Sequence, residues 1–249
     1  MAFLESWNAP FELSPSQVAR YHEDGVLGLG ELLSQAERDE VRSNLERYAT
    51  TVVPHLPASV RERIVKLEPE TGTPRHLYHL HQVDPYFERV GNSVKLMSIA
   101  RQLVDWPPLL YVVESLLRAP GVSAGTPPHQ EAAYFEEGEF HKSVNLWIAL
   151  DVASRESGAL RFWLGSHRAG LLPKAFTPAG RLTVDREAAD KAAREIRVFE
   201  ALPGQATVHD GFTVHDSFSN RSPNSRTAIV VAYRHAIGDL TLGAANVAS

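Results

Sequence analysis

The feature that most constrains the fold is a change of texture near residue 106. Before it, apolar residues recur at helical spacing behind capping signals; after it, short apolar runs alternate with Gly, Pro, Asn and Asp. Ser14-Pro15-Ser16-Gln17 predicts a helix start, with Ser14 as cap, Pro15 at the first helical position and Gln17 as the capping-box partner. Gly25 stops that helix. Ser34-Gln35-Ala36-Glu37 repeats the signal, and Val41, Leu45 and Tyr48 carry a second helix to about residue 50. Residues 51–85 are rich in Pro and charge without a period and are read as irregular. Residues 94–104 predict a further helix, ended by Trp106-Pro107-Pro108.

Strands are predicted over 109–113, 116–117, 144–150, 158–164, 196–199, 206–208, 212–215 and 227–233. Residues 171–194 form an excursion whose end, 185–194, is dense in helix formers. In 144–150 a period of two puts Leu146, Ile148 and Leu150 on one face and Asn145 and Trp147 on the other. Helices first and short strands afterwards point to an α+β, mainly β, chain with a double-stranded β-helix (jelly-roll, cupin-like) core buttressed by N-terminal helices. The 249 residues suit a single domain, helical over about 1–105 and jelly-roll over about 106–238.

Composition removes several function classes. No cysteine is present, which excludes disulfides, thiolate nucleophiles, zinc-thiolate sites and iron-sulfur clusters, whereas 11 histidines make imidazole the available metal ligand. A net charge of -5 leaves no basic footprint for nucleic acid or an anionic membrane. No apolar run is long enough for a membrane helix, and residues 1–16 lack a basic stretch followed by an apolar one. The expectation is a cytoplasmic protein acting on a small molecule, without nucleic-acid or membrane partners and with oligomeric state left open.

Chemistry concentrates at Pro128-His129-Gln130-Glu131. In a strand, positions i and i+2 share a face, so His129 and Glu131 would converge on one ion, with His215 as third ligand. Two His and one carboxylate on one face of an octahedron suit non-heme Fe(II), because three positions stay open for cosubstrate and O2. The bland reading of His-x-Glu is a solvated or hydrogen-bonded pair. Arg226 opens the apolar strand 227–233, where a guanidinium needs an anionic partner. That partner is either a ligand carboxylate gripped in two-pronged fashion or a protein acid such as Asp210 or Asp216.

Several motifs in order carry a family resemblance. They are residues 13–48 with Tyr21-His22-Glu23-Asp24-Gly25, then residues 145–151, Gly158-Ala159-Leu160 and Gly165-Ser166-His167-Arg168-Ala169-Gly170, and finally His215-Asp216-Ser217, Asn220-Arg221-Ser222 and Arg226. Together they resemble the phytanoyl-CoA dioxygenase family of Fe(II)- and 2-oxoglutarate-dependent oxygenases. The resemblance implies that His129, Glu131 and His215 hold the iron, that Arg226 and Ser217 bind the distal carboxylate of 2-oxoglutarate, and that Trp147 lines the cosubstrate pocket. It further implies oxidation of a small organic molecule by O2, by default hydroxylation and in keeping with a biosynthetic tailoring step, with succinate and CO2 as coproducts. Three departures stand out: Glu131 where the family usually has Asp, Asp216 where it commonly has Gly, and Trp163-Leu164 in place of a small or Pro-bearing pair. The extra methylene of Glu131 moves its carboxylate by about 1.5 Å. Family halogenases have Gly or Ala at that position, so Glu131 argues against halogenation.

Two other functions fit the same fold: a non-catalytic metal- or ligand-binding protein, and a cupin-like metal hydrolase or isomerase that uses Arg226 for a substrate carboxylate and needs no O2. Among the remaining candidates, His76, His79 and His81 are read as loop histidines, with substrate contact as the competing reading. Tyr134, His141 and the acidic turn 136–139 are read as solvated loop or part of a lid, and His167 and His209 as structural. Arg161 and Trp163 lie on a strand whose inward face the sequence leaves open.

Overall fold

A computed structural model describes residues 3–68, 71–121, 124–134, 142–178 and 180–235. The first helix, α1 (Pro15–Asp24), begins with the predicted capping box between Ser14 and Gln17 and ends at Gly25 in the left-handed region. It feeds strand β1 (Val26–Glu31). Helix α2 (Gln35–Arg47) has the second predicted capping box, Ser34 with Glu37, and runs on into a π-helical turn, Tyr48–Val52. Then come α3 (Ala58–Ile64), β2 (Val65–Leu67), β3 (Pro74–Leu77), α4 (Leu80–Val83), α5 (Pro85–Gly91) and α6 (Val94–Leu103). The stretch 51–85 is thus more regular than expected. Strands of three and four residues are too short to show alternation, and they form because β3 pairs with a longer neighbour.

The strand-rich part comprises β4 (Pro108–Arg118), β5 (Ser143–Ala149), β6 (Leu160–Leu164), β7 (Lys174–Phe176), β8 (Leu182–Val184), helix α7 (Arg186–Ala192), β9 (Glu195–Phe199), β10 (Gln205–Asp210), β11 (His215–Ser217) and β12 (Arg226–His235). Seven strands form one antiparallel sheet in the order β1-β10-β5-β12-β4-β3-β2, and three form a second, β11-β6-β9. This is the expected jelly-roll core. The predicted strand 212–215 is corrected: the chain turns there, with Asp210 Oδ1 accepting from Phe212 N (2.8 Å), and strand pairing resumes only at His215.

The alternation read in β5 decides the layering. Leu146, Ile148 and Leu150 enter a large apolar cluster with Val231, Tyr233 and the helical residues Leu96 and Ile99. Trp147 and Ala149 instead join Leu160, Phe162 and Leu164 of the smaller sheet. Helices therefore cover one face of the large sheet, the small sheet covers the other, and the space between the sheets is left for a site. Among the described residues, no helix is long and apolar enough to cross a membrane.

Gly25 locks α1 to this frame. Its φ is +76°, and a Cβ there would collide with the side chains of His167 and Thr213. Gly25→Ala is expected to cost about 3 kcal/mol, from left-handed strain and overpacking together. A calorimetric scan should show a Tm lower by about 6–12 °C; an unchanged Tm would contradict the packing described.

Candidate metal and cosubstrate site

His129 lies in the loop after β4 and is tied to β11 by two reciprocal backbone bonds, His129 N to His215 O (2.9 Å) and His215 N to His129 O (3.0 Å). This isolated bridge sets the two imidazoles side by side, with ring centroids 4.2 Å apart. Glu131 reaches them by a route other than the expected strand. It opens a 3-10 turn (Glu131–Tyr134), anchored where Ala132 N donates to Gly211 O (2.9 Å). Its Oε1 stands 3.5 Å from His129 Nε2 and 3.4 Å from His215 Nε2. The three potential ligand atoms all lie within 4.8 Å of one another.

The surrounding backbone fixes the tautomers. His129 Nδ1 is 2.8 Å from Pro127 O, and His215 Nδ1 is 3.0 Å from Thr213 O. A carbonyl only accepts, so each Nδ1 carries a proton, and when the ring is neutral its Nε2 presents a lone pair beside Glu131. Buried Gln130 holds the loop between the ligands: its Nε2 donates to Gly170 O (2.8 Å) and Phe212 O (2.6 Å), and its Oε1 accepts from Leu172 N (2.9 Å). Burial alone would lower the pKa of His129, but the hydrogen bond and charge of Glu131 outweigh it and raise that pKa. Burial would likewise raise the pKa of Glu131, yet the two imidazoles hold it well below the usual carboxylate range. Two neutral imidazoles and one carboxylate suit a divalent first-row metal.

Arg226 is fully buried at the start of β12, with Nη2 donating to Gly158 O (2.6 Å). Its Nε and Nη1 have no hydrogen-bond partner among the described residues. Gly158 (φ +106°) permits this approach; a Cβ there would sit 3.2 Å from Nη2. The acids considered as partners are engaged elsewhere, Asp216 with Arg161 and Asp210 with the Phe212 amide. Burial and the neighbouring charge of Arg118 push the guanidinium down to about 9, against the pull of Asp151. The Trp147 ring lies against it, 5.3 Å from guanidinium carbon to centroid. Ser217 Oγ, on β11 of the three-stranded sheet, accepts from Thr126 N (3.0 Å).

All six sequence-derived site residues, His129, Glu131, His215, Arg226, Ser217 and Trp147, line one cavity of about 490 Å3. A buried guanidinium lining that cavity with two of its three nitrogens unpaired fits the carboxylate of a 2-oxo acid, and the imidazole-carboxylate set fits its metal.

Several readings of the sequence are corrected. His76 and His79 line the cavity, with His76 Nε2 3.0 Å from Glu114 Oε2, so they are more than loop histidines. His81 stays out of it, accepting from Val113 N at Nδ1 (3.2 Å). His209, read as structural, also lines the cavity, with neither ring nitrogen hydrogen-bonded among the described residues, and burial pulls its pKa well below the usual histidine range. Arg161 and Trp163 face away from it; Trp163 Nε1 donates to Asp190 (2.7 Å). His167 lies apart, with Nε2 3.2 Å from His22 O. Tyr134 lines the cavity, while His141 and the acidic turn 136–139 lie outside the described residues. Missed altogether were Arg75, Tyr78, Glu114, Arg118 and Arg181, which the fold brings to the same cavity from three separate segments.

Comparison with known proteins decides the family. The profile described as Phytanoyl-CoA dioxygenase (PhyH) matches residues 21–228, a span that contains all six site residues. The chain belongs to the phytanoyl-CoA dioxygenase family. It is 27% identical over 270 residues to Phytanoyl-CoA dioxygenase domain-containing protein 1 of Bos taurus, covering 92% of each chain. The match to the Danio rerio protein of the same description spans 52% of that protein. Among solved structures, EctD from S. alaskensis with 2-oxoglutarate and 5-hydroxyectoine superposes with TM-score 0.73 at 20% identity, covering 90% of this chain and 76% of that one. The non-heme alpha ketoglutarate dependent carbocyclase SnoK from nogalamycin biosynthesis gives TM-score 0.71 at 21% identity, covering 95% and 93%. At such identities the likeness carries the fold. Against the family pattern, Asp216 has a local purpose here, since it neutralises Arg161 on the outer face of β6.

Proposed function

We propose that the chain is an Fe(II)- and 2-oxoglutarate-dependent oxygenase that hydroxylates a small organic molecule. In this reading His129, Glu131 and His215 hold the metal, and Arg226 with Ser217 receives the distal carboxylate of 2-oxoglutarate. The observation that carries it is a fully buried guanidinium with two nitrogens unpaired among the described residues, lining the same cavity as three convergent metal-ligand side chains. Bound iron would activate O2, the oxidant, with 2-oxoglutarate as the two-electron co-reductant: one oxygen atom would go to succinate with loss of CO2 and the other into the substrate C–H bond.

The protein contributes position and exclusion. The Pro127 and Thr213 carbonyls keep both Nε2 lone pairs inward. Leu116, Leu160 and Val230 provide apolar wall that limits water around the reacting carbon. Hydroxylation is the default outcome; the carbocyclase named above has the same fold, and the outcome depends on where the substrate carbon is held relative to the metal. Protein incubated with Fe(II), ascorbate and 2-oxoglutarate is expected to form succinate slowly without substrate, and His215→Ala is expected to form none. Equal rates in the two proteins would overturn the proposal.

The ligands must be deprotonated to bind metal, and Glu131 raises the proton affinity of His129. Below the raised pKa of His129 a proton competes for the site, so metal affinity falls as pH falls. Calorimetric titration with Mn(II) is expected to give a Kd about tenfold weaker for each pH unit below that pKa for each proton displaced. An affinity independent of pH between 5 and 8 would contradict the ligand assignment.

A further inference from the structure

Three further arginines line the cavity, and one of them, Arg118, lies opposite Arg226 in the β4–β12 register. They are Arg75 on β3, Arg118 at the end of β4 and Arg181 just before β8. Arg118 is 5% exposed; its Nη2 donates to Thr126 Oγ1 (2.6 Å), and its Nε is buried without a partner. Arg181 Nη1 donates to Gly125 O (3.0 Å). The cavity carboxylates are committed elsewhere: Glu114 lies against His76, Glu131 against the two imidazoles and Asp216 against Arg161. Buried Glu68 attracts both Arg118 and Arg181, and among the described residues one carboxylate against three guanidiniums leaves a surplus of positive charge. Burial, then repulsion from Arg75 and Arg181, pulls Arg118 down to about 10 against that attraction. The Tyr78 phenol feels both Glu131 and the charges of Arg75 and Arg118, and that of Tyr134 feels both Glu131 and Arg181. The phenols therefore bridge the metal-ligand cluster and the arginines electrostatically.

Under the function proposed above, both carboxylates of 2-oxoglutarate are already placed, one at Arg226 and one at the metal. We propose that Arg75, Arg118 and Arg181 bind an anionic group of the substrate, a carboxylate or a phosphoryl group, and so hold the carbon to be oxidised beside Glu131. This rests on the oxygenase reading but is tested separately from it.

The test is calorimetric titration of inorganic phosphate, and in parallel acetate, into protein preloaded with Mn(II) and 2-oxoglutarate. At least one anion is expected to bind with 2-oxoglutarate retained, and the tighter of the two identifies the class of group. Arg75→Gln and Arg181→Gln, at partly exposed positions, are each expected to weaken that anion at least tenfold while changing 2-oxoglutarate affinity less than twofold. The proposal is overturned if neither anion binds, if the bound anion displaces 2-oxoglutarate, or if the variants weaken 2-oxoglutarate and spare the anion. If Mn(II) confers no 2-oxoglutarate binding, the oxygenase reading fails, while titration of the metal-free protein and the same variants still decides the role of the three arginines by the same tenfold criterion.

Discussion

Arg226→Met is expected to fold, to keep the metal, and to bind 2-oxoglutarate about a hundredfold or more weaker than the native protein. Charge-assisted hydrogen bonds to a carboxylate contribute about 1.5–3 kcal/mol each, and about 2.8 kcal/mol corresponds to a hundredfold in affinity. The loss falls on the cosubstrate because, among the described residues, the guanidinium has one hydrogen-bond partner, the Gly158 carbonyl, and two unpaired nitrogens, and it lines the cavity. For the same reason the ligand-free variant is expected to melt no lower than the native protein, since it no longer desolvates an uncompensated charge. Arg226→Lys should recover part of the affinity, restoring the charge without the two-pronged geometry. Calorimetry for 2-oxoglutarate and a melting curve for each variant check this. A variant that binds 2-oxoglutarate normally, or unfolds because a protein ion pair was lost, would contradict it.

Glu131→Ala should act on the metal instead. It leaves two imidazoles and removes the only anionic ligand, so affinity for Mn(II) is expected to fall by more than about a hundredfold, beyond the range seen for groups that merely support ligands. Succinate formation should disappear with it. Glu131→Asp is the sharper variant, because Asp is the family's usual residue. In this chain the 3-10 turn at 131–134 sets the backbone so that the longer side chain brings Oε1 within 3.5 Å of both Nε2 atoms. An Asp would fall short by about 1.5 Å. It is expected to bind metal more weakly than Glu, and tighter binding by Asp would show that the turn was misread.

What the sequence made legible was whatever local rules control. Capping boxes fixed the starts of α1 and α2, and alternation in 144–150 separated Leu146 and Ile148 from Asn145 and Trp147 before any contact was known. The metal-ligand candidates were legible as residue types, but not the reason they meet. Period-two reasoning put His129 and Glu131 on one strand face; the chain instead uses a single bridge to β11 followed by a helical turn. Arg226 illustrates the other limit. Its apolar surroundings required an anion, but only the engagement of Asp210 and Asp216 elsewhere turned that requirement toward a ligand. Arg75, Arg118 and Arg181 were invisible because no local pattern links β3, the end of β4 and the segment before β8. Long-range pairing such as His76 with Leu116 creates their proximity.

The central claim is that one metal ion and one 2-oxo acid meet in this cavity. Anaerobic titration of the protein with Fe(II) and then 2-oxoglutarate tests it most directly, by the visible charge-transfer absorption that ferrous ion gives when a 2-oxo acid chelates it. This absorption is expected to appear, to saturate at one equivalent of each per chain, to be lost in Glu131→Ala and to be weakened in Arg226→Met. No absorption in the native protein, or the same absorption in all three proteins, would contradict it.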